Sequence, residues 1–271
     1  MKINRSVLFL TLSILMAACA GGNRVTSLLF SPADDLKLGK QVSEEINGNA
    51  AEYPLLSESQ YPKAYQYLNA MRDQILASQS IAYRNDFSWE LKIIQDDKVL
   101  NAFATPGGYI YVYTGLIKYL KDADDLAGVL GHEIAHADRR HSIKQLEKQY
   151  GISILLSIAL GNEPSQLAQM AGQIAGTGAI LKFSRSAEAD ADEYSVKYLA
   201  DTPYACNGAA SFFQKLLDEG EAGAAPVFLS THPSPRSRVQ DINDQATSIG
   251  CSVNTIRESG MNYNNFIASL P

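Results

Sequence analysis

From Asp122 to Tyr150 the large apolar residues Leu126, Val129, Leu130, Ile134, Ile143 and Leu146 return at helical steps. No proline interrupts them, so the pattern predicts one helix, capped by Asp122 or Asp124 and ended at Gly151. Similar spacing predicts two earlier helices, from Asp34 to about Asn47 and from about Pro62 to Ala77. Between Phe87 and Gln95 the period falls to two, with Phe87, Trp89, Leu91 and Ile93 on one face, which reads as a strand. The turn residues Pro106-Gly107-Gly108 lead into Tyr109-Ile110-Tyr111-Val112-Tyr113, a second strand of β-branched and aromatic residues. Gly115 to Leu120 begins a short helix. Residues 151–160 are apolar but too short to cross a bilayer, so they read as a buried element. The segment 165–183 carries Gly172, Gly176 and Gly178, which are poor helix interiors and suit either close packing or a mobile flap. Residues 184–199 form a further helix. The fold class is α+β, mostly helical, with a small sheet beside the helix of residues 122–150.

The N-terminus changes the picture of where the chain works. Lys2 and Arg5 precede an apolar run from Val7 to Met16 and the small residues Ala17-Ala18 before Cys19. That is the pattern of a secretory signal peptide over residues 1–18, too short for a spanning helix. It resembles a bacterial lipoprotein signal, in which Cys19 becomes the acylated first residue; plain secretion with cleavage nearby is the alternative. Residues 19–33 then form a tether, and 34–271 one domain. Ala20 after Cys19 fits delivery to the outer membrane of a Gram-negative bacterium, facing the periplasm, with the membrane reached through a lipid anchor only. The formal charge of −6 grows more negative once Lys2 and Arg5 are removed, which argues against nucleic acid as a partner. With 46% hydrophobic residues the chain can build a full core. Cys206 and Cys251 remain as an even pair, which an oxidising compartment would join as a disulfide; two buried thiols are the alternative.

The chemistry lies in Gly131-His132-Glu133-Ile134-Ala135-His136. Residues four apart share a helix face, so His132 and His136 can direct two imidazole nitrogens at one metal ion. Glu133, turned about 100° around the axis, reaches beside that ion toward a water molecule. The plain alternative is a helix with solvated histidines, and the chain has only four histidines to place by chance. On the helix of residues 184–199, Glu188 and Asp192 are also four apart. Glu188 supplies a third ligand, leaving a fourth position open, and Asp192 can accept the second ring N–H of a ligand histidine. The alternative is that these acids form a solvated face. His141, five residues past His136, points about 140° away on a continuous helix, and reads as structural.

These motifs together resemble the gluzincin metallopeptidases of family M48. That family includes the CAAX prenyl endopeptidases, the mitochondrial inner-membrane metallopeptidase and the bacterial periplasmic assembly proteases. The resemblance is carried by Asn101-Ala102-Phe103-Ala104-Thr105-Pro106-Gly107-Gly108, by His132 to His136 with Arg140-His141 after it, by Ser184-Arg185 with Glu188 and Ala191-Asp192, and by His232-Pro233 with Arg238. Ser195 departs from the glycine or alanine expected there. The family's spanning helices are missing, so the chain resembles its soluble, lipid-anchored branch.

The resemblance implies a zincin-like domain with its small sheet bordering the cleft, and one Zn2+ per chain on His132, His136 and Glu188. Glu133 would be the general base. His232 and Arg238 would line the cleft and stabilise a developing oxyanion, or His232 would take the fourth metal position in a latent enzyme. Asn101, Ala102, Phe103, Gly107 and Gly108 would border the cleft and hold an extended peptide by its backbone. The activity implied is endopeptidase hydrolysis of unfolded or misassembled cell-envelope proteins, with polypeptide as substrate and envelope assembly machinery as a further partner. Two other functions are open: an assembly factor or chaperone for outer-membrane proteins with little or latent proteolysis, and a metal-binding lipoprotein without turnover.

Overall fold

Three short strands separate two bodies of apolar side chains. Strands β1 (Leu91–Ile94), β2 (Ala102–Thr105) and β3 (Tyr109–Tyr113) form a mixed sheet in the order β1-β3-β2, with β1 parallel and β2 antiparallel to β3. Ile110 and Val112 of β3, with Ala102, Ala104, Leu91 and Ile93, face one core; Tyr109, Tyr111 and Tyr113, with Phe103 and Ile94, face the other. Period-two alternation therefore sorts the strands, but both faces are covered.

The computed structural model describes residues 30–120, 122–176, 181–219, 227–232, 235–254 and 262–271. The expected signal peptide, Cys19 and Gly178 lie outside them, as does most of the tether. Helix α1 (Pro32–Gly48) starts where Ser31 caps it: its hydroxyl accepts from Asp34 N–H, and the Asp34 carboxylate accepts from Ser31 N–H at 2.8 Å. Then come α2 (Pro62–Leu76), α3 (Thr114–Tyr119), α4 (Ala123–Asp138) and α5 (His141–Tyr150). After these follow α6 (Ile152–Ala159), α7 (Pro164–Gly176), α8 (Arg185–Leu199), α9 (Gly208–Glu219), α10 (Val227–Thr231), α11 (Pro235–Ile249) and α12 (Tyr263–Ile267). The architecture is α+β and mostly helical. Among the described residues no helix is long and apolar enough to cross a membrane.

Helix α4 lies on the Ala102/Ala104 side of the sheet, while α1 and α7 cover the tyrosine side. There Tyr111 donates to Ser43 Oγ at 2.9 Å and Tyr113 donates to the Ala175 carbonyl at 2.6 Å. The small-residue segment is thus a packed helix as far as Gly176. Helix α4 is crossed closely by two neighbours. A Cβ on Gly128 would lie 2.1 Å from Ala209 N of α9, and one on Gly131 would lie 2.8 Å from Ser195 Oγ of α8. Ser195, the residue that departs from the family pattern, donates to the Gly128 carbonyl at 3.2 Å and so belongs to that crossing. The sulfurs of Cys206 and Cys251 are bonded, tying the chain before α9 to the end of α11.

Two expected elements are shorter than their periodicity suggested. The first strand starts only at Leu91, because Trp89 has a φ of 51° and its indole N–H is held by the carbonyls of Tyr83 and Arg84. The single helix expected over residues 122–150 is two helices. Arg140 sits in the left-handed region at φ 60°, and the chain turns there between α4 and α5. The Arg140 guanidinium reaches back to the buried carboxylate of Asp35 on α1, Nε to Oδ2 at 2.6 Å and Nη2 to Oδ1 at 2.9 Å. A buried ion pair is costly to break from one side only, since the remaining charge stays unpaired.

Arg140→Gly keeps a residue at ease with positive φ and removes the guanidinium. Urea unfolding should show a loss of about 2–4 kcal/mol, with part of it recovered in the Arg140→Gly/Asp35→Asn double variant. A single variant as stable as the parent would mean that the pair does not anchor the break.

Candidate metal centre

Helix α4 presents His132, Glu133 and His136 as buried side chains, and its first turn is held by Asp122, whose carboxylate accepts from Asp125 N–H at 2.9 Å. Helix α8, pressed against α4 at the Gly131–Ser195 contact, brings Glu188 and Asp192. His232 follows α10, and Arg238 comes from α11. None of these seven side chains is more than 4% exposed.

One donor atom from each of His132, His136, Glu188 and His232 lies within 4.8 Å of every other. His132 Nε2 is 3.0 Å from His136 Nε2, 3.3 Å from His232 Nδ1 and 3.5 Å from Glu188 Oε2. Glu188 Oε1 is 3.6 Å from His136 Nε2 and 3.1 Å from His232 Nδ1. Ligand bonds of about 2.0–2.1 Å in a tetrahedron imply donor separations of about 3.3–3.4 Å, and the separations above scatter around that size. The predicted trio of His132, His136 and Glu188 is brought together, and His232 closes the fourth corner.

The electrostatics agree with a cation. Burial disfavours ionised Glu188, but the imidazoles of His232, His132 and His136 outweigh it and hold the carboxyl well below its usual range. Burial likewise opposes ionised Asp192, and Arg238 and His132 reverse it. Burial disfavours charge on His132 too, yet the facing carboxylates of Asp192 and Glu188 lift it to about 9. On His136 burial wins, with His132 acting the same way, which leaves the ring nitrogen free to bind as a neutral ligand. Glu188, Asp192 and Glu133 face a single guanidinium, that of Arg238, and a divalent ion would balance them.

Asp192 stands behind His132 as expected, Oδ1 to Nδ1 at 3.0 Å, which directs Nε2 toward the cluster. Arg238 lines a cavity beside the site and is gripped by its acids. Its Nε and Nη2 each lie 2.6 Å from the Asp192 carboxylate, Nη1 lies 2.6 Å from Glu188 Oε2, and Phe213 covers the guanidinium at 4.0 Å. In this geometry the cation braces two acids of the site. Burial pushes the Glu133 carboxyl above its usual range. Its Oε1 faces His232 Nε2 at 3.4 Å but makes no hydrogen bond, and Ala104 N–H donates to the same carboxylate.

Strand β2, which carries the expected peptide edge, is the outer strand of the sheet. Asn101, Ala102 and Phe103 are buried, and the backbone beside them is already used: Phe228 N–H donates to Leu100 O, and Ser142 Oγ donates to Ala104 O. Gly107 packs on Leu36 and Gly108 on Trp89, at the far end of the hairpin. A cavity of about 360 Å³ does reach the site, between α8 and α11, lined by Glu188, Asp192 and Arg238 with Arg185, Asp241 and Gln245. His141 was misplaced by the continuous helix. The turn at Arg140 brings its Nδ1 to 3.1 Å from His136 Nδ1. The visible sign was the stretch between Ile134 and Ile143, which holds no large apolar residue.

Residues 62–246 match the model of peptidase family M48, and the chain belongs to that family. Among its relatives, the mitochondrial metalloendopeptidase OMA1 of Schizosaccharomyces pombe is 31% identical over 66% of this chain and 52% of its own. The beta-barrel assembly-enhancing protease of Escherichia coli is 27% identical over 81% of this chain and 45% of its own. The metalloprotease YcaL of Escherichia coli is 30% identical over 55% of this chain and 59% of its own. The chain thus spans about half the length of the curated relatives it matches.

Removing the acidic donor should empty the site. Glu188→Gln is expected to lower zinc affinity more than about 100-fold, and Asp192→Asn about 10–100-fold, in competition with a chromophoric chelator. Equal affinity in all three proteins would remove Glu188 from the ligand set.

Proposed function

We propose that this chain is a zinc-dependent endopeptidase that rests in a closed state. The observation that carries the reading is a four-donor shell with the acid Glu133 beside it: a storage site needs no such base. His132, His136 and Glu188 would hold the ion during turnover. Zinc there supplies Lewis acidity, polarising a carbonyl and lowering the pKa of water. Glu133 accepts a proton from the attacking water as its oxygen bonds to the scissile carbon. It then delivers that proton to the amine nitrogen as the carbon–nitrogen bond breaks. Burial makes Glu133 more basic than a solvated carboxylate, which suits both transfers.

His232 is the lock in this reading. Its ring fills the corner that a catalytic site keeps open, stacked on Phe228 with centroids 4.3 Å apart. Substrate entry requires the His232 segment to withdraw, which also uncovers Glu133.

Unfolded or misassembled polypeptides of the cell envelope are the proposed substrates. The name of the Escherichia coli relative, which ties proteolysis to β-barrel assembly, supports this, as do the leader and Cys19. Those N-terminal features support a periplasmic, lipid-anchored protein, with assembly machinery as a partner. The same relative's name supports a second reading, an assembly factor that cleaves rarely, and a closed site is compatible with it.

Purified protein should contain one zinc per chain and cleave casein slowly. Glu133→Gln should retain zinc and lose cleavage; full turnover by that variant would remove Glu133 as the base. His232→Ala should raise the casein rate several-fold. A fall instead would mean that His232 acts on the substrate, and zinc-loaded His232→Ala without any cleavage would favour the assembly factor.

A further inference from the structure

A second line of hydrogen-bonding groups leaves the metal centre on the side away from Asp192. His136 turns Nε2 toward the donor cluster and Nδ1 toward His141 Nδ1, 3.1 Å away. On the far side of that ring, His141 Nε2 lies 3.2 Å from Asp190 Oδ2. Arg139 grips the same carboxylate, with Nε to Oδ2 at 2.8 Å. Phe183 lies flat against the His136 ring, with centroids 3.9 Å apart.

With His136 Nε2 as a metal ligand, proton counting gives these contacts one consistent arrangement. A neutral imidazole carries a single N–H. If Nε2 of His136 binds metal, its hydrogen sits on Nδ1 and points at His141. His141 Nδ1 must then be an acceptor, so its own hydrogen sits on Nε2 and points at the Asp190 carboxylate. With the His136 hydrogen on Nδ1, a hydrogen on His141 Nδ1 as well would set two hydrogens face to face at 3.1 Å.

We propose that His141 is a positioning residue for the metal ligand His136, with Asp190 and Arg139 fixing His141 in turn. This rests on the reading above that His136 is a ligand. The two ligand histidines of α4 are then oriented differently. His132 is held by an acid directly, Asp192. His136 is held through an imidazole, which reaches it only because the chain turns at Arg140. Ligand histidines gain basicity and a defined ring angle from such partners. The groups facing His141 from every side are His136, Asp190, Arg139 and Lys144. A cavity of about 450 Å³ lies beyond His141 and Asp190, so substitution of half-buried Asp190 disturbs little packing.

The test uses the full chain and two readouts besides activity: zinc affinity against a chromophoric chelator, and the visible spectrum of the cobalt-loaded protein. His141→Ala should bind zinc about 10–100-fold more weakly and shift the cobalt bands. His141→Asn, which places an amide oxygen close to the lost acceptor, should recover most of the affinity. Asp190→Asn should weaken binding in the same direction, but less. Metal-free thermal unfolding should be alike in all four proteins. His141→Ala with parental affinity and spectrum would overturn the proposal while leaving the metal site standing. Equal weakness in both His141 variants, with lowered metal-free stability, would reduce His141 to packing and also overturn it. A parent chain that takes up no metal would overturn this proposal and the metallopeptidase reading together.

Discussion

The structure depends on how closely α4 and α8 approach. Donors on two helices, far apart in sequence, stand 3.5–3.6 Å from each other across the crossing. That separation exists because Gly131 has no side chain and Ser195 has a short one, whose hydroxyl is held by the Gly128 carbonyl. A bulkier pair would move Glu188 away from the imidazoles and leave a buried carboxylate with fewer partners. Packing and metal chemistry therefore rest on the same few atoms.

Around this crossing the molecule arranges supports of different kinds. The sheet backs α4 with small residues, Ala102 and Ala104, and its tyrosine face is closed by α1 and α7. Arg238 bridges Glu188 and Asp192, so one cation steadies both an acid of the candidate donor cluster and the acid behind His132. His232 faces Glu188 with one ring nitrogen and Glu133 with the other. Burial of this kind keeps the charges of the site strong.

Much of this was legible along the chain. The four-residue spacings of His132 and His136, and of Glu188 and Asp192, needed only helix geometry to become a metal site with an acid behind it. The helices from Pro32, Pro62 and Arg185 begin within a few residues of where the apolar spacing places them. Helix periodicity and turn chemistry are local, acting over three or four residues, so a single sequence carries them.

What could not be read were distances between elements and angles at a single bond. The left-handed turn at Arg140 is one residue's φ, maintained by an aspartate a hundred residues earlier, and it decides whether His141 faces the metal centre or solvent. Burial of the hairpin, the capture of Arg238 by two carboxylates and the seat of His232 have the same origin. Sequence spacing determined which residues share a helix face and hence what chemistry each face could do. Only the tertiary structure decided which faces meet, because that depends on close packing among parts of the chain that no local pattern connects.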